Sequence, residues 1–154
     1  AKAKATIGKL SYTCAKNPAS TSTKLVWVSK PCLDASANYK SALSITTSNT
    51  ATTTAAINAA KRSIATNARQ LAAAQKNVDT WSKHMLSYPK NPTETEKKQI
   101  ATVQEGIDRN KQRVIDAQAN IANLQAQVAA ATAEDAKNAA GLDAIKASVT
   151  SSCK

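Results

Sequence analysis

Apolar side chains recur every seven residues on both sides of the segment Pro89-Lys90-Asn91-Pro92, and this repeat limits what the chain can fold into more than any other feature. On the first side the positions are Leu43, Thr50, Ile57, Ile64, Leu71, Val78 and Met85; on the second they are Ile100, Ile107, Val114, Ile121, Val128, Asp135, Leu142 and Val149. A companion set interleaves with them, Tyr39, Thr46, Thr53, Ala60, Asn67, Ala74 and Trp81, then Val103, Asn110, Ala117, Leu124, Ala131, Asn138 and Ile145. If the two stretches are antiparallel helices and Trp81 meets Ile100, every later layer follows, and all layers share one midpoint between Lys90 and Asn91. The fold class predicted is mainly α: a long antiparallel helical hairpin, a two-helix coiled coil, spanning 34–154 with helices at about 34–88 and 93–152 and a turn at 89–92.

The turn has its own chemistry. Proline restricts the residue before it and donates no backbone hydrogen bond, so Tyr88-Pro89 stops the first helix and Asn91-Pro92 keeps the chain extended. Thr93 and Glu96 form the pattern of a capping box, and Glu94 adds negative charge at a helix N-terminus. Pro31 is expected to precede a first-helix start near Asp34. Poor helix formers from Thr46 to Thr54 have Asp135 among their predicted neighbours, Gly141 lies slightly further along, and a bend is expected near Thr46–Thr54 and Asp135–Gly141. A break there, giving a four-helix bundle, is the second architecture to weigh.

Residues 1–33 differ in texture. The run from Ala5 to Cys14, with Ile7, Leu10 and Tyr12, and the run from Lys24 to Lys30 predict two short strands, a hairpin-like segment that must dock on something because an isolated hairpin is marginal in water. Val26, Trp27 and Val28 are the residues expected to dock at the helix ends. Cys32 and Cys153 fall within reach of one another, a pairing that leaves Cys14 over; Cys14 with Cys32 is the rival, and either way the odd thiol points to an intermolecular link or a free cysteine. Disulfides imply an oxidising compartment, and the start Ala-Lys-Ala-Lys-Ala reads as a mature form after signal removal, so export to the extracellular space or periplasm is expected.

Aromatics make up 3% of the 154 residues and Phe is absent, so the core is thin and Ala-rich, and such a hairpin invites a partner. Charge is uneven: up to Pro92 there are 13 Lys and Arg against Asp34 and Asp79, while the remainder carries eight of each sign. Lys61, Arg62, Arg69, Lys76 and Lys83 come without interleaved aromatics, so nucleic acid is not the expected partner; an acidic cell surface, an anionic polymer or a further copy of the chain is. No stretch approaches the roughly 20 apolar residues of a membrane span. Catalysis finds no constellation, since the single histidine, His84, has no cysteine or carboxylate set with it, and no cofactor or metal site is expected.

A helical hairpin that turns through Pro-x-x-Pro, here Pro89-Lys90-Asn91-Pro92, resembles the needle subunits of type III secretion systems, which stack hairpins into a hollow filament. The resemblance covers those four residues and the architecture; needle subunits are shorter and generally lack the cysteines and the strand-like start. It implies assembly. The function expected is accordingly a non-enzymatic exported structural protein, a self-assembling subunit of an extracellular filament, coat or surface layer, with Ile57, Ile64, Leu71, Ile107, Ile121 and Leu124 as the assembly seam. The alternative is a secreted cationic binding protein, toxin-like or an adhesin, touching its target through Trp81, His84, Tyr88 and Lys90 at the tip.

Overall fold

The computed structural model describes residues 3–154 and shows the hairpin, two long α-helices packing together, with a small three-stranded sheet in the N-terminal part of the chain. Strands β1 (Lys4–Ile7), β2 (Leu10–Lys16) and β3 (Leu25–Ser29) precede α1 (Lys30–Met85) and α2 (Glu94–Ser152). Helix α1 starts ahead of the expected position because Ser29 caps it: the Cys32 N–H donates to Ser29 Oγ at 3.4 Å, and Pro31 sits in the first turn, where no N–H is needed. It ends at Met85 through tight turns in which Leu86, Ser87 and Tyr88 each donate to a carbonyl three residues back. Helix α2 opens with the anticipated capping box. The Thr93 N–H donates to Glu96 at 2.6 Å and the Glu96 N–H donates to Thr93 Oγ1 at 3.3 Å, so two otherwise orphaned donors are satisfied.

Both helices run without interruption through Thr46–Thr54 and Asp135–Gly141, which excludes the four-helix bundle. The chain nonetheless divides into two compact units. In the unit Ala55–Ala131, the sheltered positions follow the seven-residue repeat on both helices, and Ala74, Ile107 and Ala117 are fully buried together with polar Asn110. Ile57, Ile64, Leu71, Ile121 and Leu124 are half-buried on the same stripes. The pairing differs from the expected one: Trp81 lies against Gly106, not Ile100.

In the other unit, which takes in the chain up to Thr54 and Thr132–Lys154, Thr50 donates to Asp135 Oδ1 at 2.6 Å, where the expected partner of Thr50 was Ala131. The displacement has the same sense in both units, between one and two helical turns along α2. Helical side chains lean toward the N-terminus of their own helix by about one residue position, which shifts contacts in an antiparallel pair in the observed sense and accounts for part of the displacement. Leu43 also departs from expectation. It is 40% exposed and Ala42 takes the sheltered place, while Tyr39, Thr46 and Thr53 keep the seven-residue spacing around it.

The sheet has the order β1-β2-β3, all antiparallel. The run from Ala5 to Cys14, read as one strand, is two strands joined at Gly8 and Lys9, with Ile7 opposite Leu10. Gly8 has φ 62° and, among the described residues, no non-glycine has positive φ, the pattern of a two-residue II′ hairpin turn. Between β2 and β3 the chain is held by side-chain turns, Asn17 accepting from the Ala19 N–H and Ser20 from the Ser22 N–H. The inner face of the sheet meets the helix ends, where Ala15, Val28 and Cys32 form a buried cluster flanked by Leu33 and Cys153. Cys32 and Cys153 are joined by a disulfide, with Cα atoms 4.7 Å apart. Asn17 Nδ2 adds a hydrogen bond to the Cys153 carbonyl.

Candidate docking surfaces at the sheet and the hairpin tip

Strand residues alternate between faces, so the pairing register assigns each side chain of the sheet. Ala15 and Val28 belong to the inner face. Trp27 pairs with Cys14 and Leu25 with Lys16, while Ile7 pairs with Leu10, and all six belong to the opposite, outer face with Tyr12. That face is apolar and open: Ile7 is 68% exposed, Leu25 65% and Trp27 54%. Of the three residues expected to dock on the helices, only Val28 is buried; Val26 and Trp27 remain exposed. Cys14, left free by the disulfide, lies half-buried across from Trp27. Charges surround the strand, with Lys24 and Lys30 at the two ends of β3 and Lys16 opposite Leu25; Lys30 is ion-paired with Asp34 at 2.5 Å.

The backbone of β3 has an unpaired side. The Cys14 N–H donates to the Ala3 carbonyl on the β1 side, so Thr13 and Ala15 turn their amides and carbonyls toward β3, where they meet Val28 and Val26. The main-chain groups of Leu25, Trp27 and Ser29 therefore point away from the sheet. A hollow of about 320 Å³ is lined by Leu10 and Tyr12 of β2, by Val26 to Ser29 of β3, and by the ends of both helices.

At the tip, the six-membered ring of Trp81 lies on the backbone of α2 at Gly106, where any Cβ would overlap it. Trp81, Thr80, His84, Thr102 and Val103 bound a shallow apolar hollow of about 490 Å³. His84 and Tyr88 rings meet edge to face at 5.2 Å, with Tyr88 Oη 3.4 Å from His84 Nε2, so two of the expected tip residues are engaged with each other. Lys90 is exposed in the turn. Leu86, which the repeat had not singled out, is 86% exposed beside them. Its position one residue beyond the seven-residue stripe was the signal available.

His84 touches Tyr88 and, through its carbonyl, Ser87. Among the described residues no three His, Cys, Asp or Glu side chains gather as a metal site, and no helix is long and apolar enough to cross a membrane. One carboxyl is perturbed: hydrogen bonds from the Thr93 N–H, and then from its hydroxyl, hold Glu96 below the ordinary glutamate range. Asn110 is a polar residue in the seam whose role the sequence did not announce. Its amide donates to the Gly106 carbonyl at 2.8 Å and accepts from Asn77 at 3.4 Å, fixing the helix pair at the level where Trp81 crosses. Comparison of the chain with protein-family models, with curated proteins and with solved structures returns no match.

Proposed function

We propose that this chain is an exported, non-enzymatic cationic binding protein that docks through its sheet. The observation that carries this reading is the outer face of the sheet, where Ile7, Leu25 and Trp27 stand exposed with Lys16, Lys24 and Lys30 around them. Large apolar side chains grouped on an open surface and rimmed by charge are characteristic of interaction sites. The seam ladders, by contrast, are occupied within the hairpin. Ile57, Ile64, Leu71, Ile121 and Leu124 line the stripes along which α1 and α2 pack, and Ile107 is fully buried, so they offer little to a neighbouring copy. The intact disulfide and the excess of Lys and Arg support an extracellular, acidic target such as a cell surface or anionic polymer.

The test is retention of the purified, non-reduced chain on immobilised polyglutamate, compared with the double variant Leu25→Ser, Trp27→Ser, which keeps every charge. Retention that falls about tenfold in the variant supports docking through the sheet; equal retention reduces the effect to net charge and removes the reading. The second reading, a self-assembling structural subunit, is favoured by the exposed Leu86 and Trp81 at the tip. Light scattering after size exclusion separates the two. An open-ended mass distribution supports assembly, and a sharp monomer supports the binding protein.

A further inference from the structure

We infer that the free edge of β3 receives an extended peptide segment of the partner as a fourth strand, and that this segment carries acidic residues at its ends and apolar residues at alternate positions. The inference rests on the sheet being the docking surface and adds the chemistry of what docks. Three features converge on it. First, the outward N–H and C=O groups of Leu25 and Trp27 have no main-chain partner among the described residues, an edge that another extended backbone can pair with. Second, an added strand would continue the outer apolar face, because its side chains on that side would lie beside Leu25 and Trp27, both more than half exposed.

Third, charge selects the occupant. Lys24 and Lys30 bracket the strand, Lys16 stands across from Leu25, and Lys154 lines the hollow with Val26 to Ser29. Asp34 is paired with Lys30. A second copy of β3 laid antiparallel on the first would set lysine against lysine at both ends, which opposes pairing. Glutamate or aspartate at those positions would neutralise them.

The probe is a synthetic peptide of the pattern Glu-Val-Thr-Val-Thr-Val-Glu, titrated into the full, disulfide-bonded chain while amide hydrogen exchange is followed residue by residue. The expected result is slowed exchange at the amides of Leu25 and Trp27. Affinity should fall about tenfold or more when alternate peptide amides are N-methylated, and again when Lys replaces the flanking Glu. Leu25→Pro removes an outward N–H at the first position of the strand, where proline is tolerated, and should weaken binding while the Val28 amide stays protected. Equal binding by the N-methylated peptide overturns strand addition while leaving docking on the apolar face intact. Failure of the peptide to bind at all, with sheet-dependent retention on polyglutamate preserved, likewise overturns strand addition alone. Loss of both results removes the docking reading as well.

Discussion

Gly106 sits inside a long helix, where glycine ordinarily costs about 1 kcal/mol relative to alanine, and it is kept there by the ring of Trp81. The two residues should behave as a unit. Gly106→Ala is expected to lower stability by about 1–3 kcal/mol in spite of its better helix propensity, since the new methyl group overlaps the indole. In a Trp81→Ala background the same change should become stabilising by about 1 kcal/mol, and chemical denaturation of the four members of the cycle measures the reversal. Glu96 gives a pH dependence of known sign. Its folded-state pKa is lowered by Thr93, so its contribution is fully present above the unfolded glutamate value and is lost as pH falls through the folded value. Amide protection in the first turn of α2 should therefore drop on acidification below about pH 4, and the Glu96→Gln variant should show a flatter profile over that range.

At the scale of elements, the helices were legible because a seven-residue repeat and a proline turn say the same thing twice. The half-buried and buried positions on α2 follow the predicted stripe from Ile100 to Val149 almost without exception. What the repeat did not carry was which residues touch. Spacing along one helix fixes a face, whereas contact across two antiparallel helices also depends on the lean of each side chain, and so Thr50 met Asp135 instead of Ala131. That contact makes a prediction of its own. Thr50→Val leaves a carboxylate in the seam without its hydroxyl donor and should cost about 1–3 kcal/mol; adding Asp135→Leu should recover most of it, as equilibrium unfolding will show. The sheet was legible only in part. Gly8 with Lys9 is a less conspicuous turn signal than Asn-Gly, so the first run read as one strand, and nothing in residues 25–29 alone says that one of their edges stays unpaired.

At the scale of the molecule, the Cys32–Cys153 pairing was one of two open alternatives in the sequence and is the one found. It spans 121 residues of separation, a loop long enough that the cross-link should stabilise the fold by about 5 kcal/mol through the entropy it removes from the unfolded chain. Cys32→Ser with Cys153→Ser should lower the thermal midpoint accordingly, and the buried cluster of Ala15 and Val28 should be the first region to lose protection. Function was the least legible level. Docking surfaces are defined by what a fold leaves uncovered, and exposure of Trp27 or Leu86 follows from sheet topology and helix ends, which no local pattern of residues records.

The disulfide has a topological meaning beyond its stability. With one bond joining Cys32 to Cys153, nearly all of α1, the proline turn and α2 form a covalent ring, so a single protease cut at Leu86 or within Pro89–Pro92 opens the ring without releasing a fragment. A clipped molecule should keep its full mass on a non-reducing gel and separate into two pieces only after reduction. The turn is thus a place that can be severed while the sheet stays attached to every part of the chain.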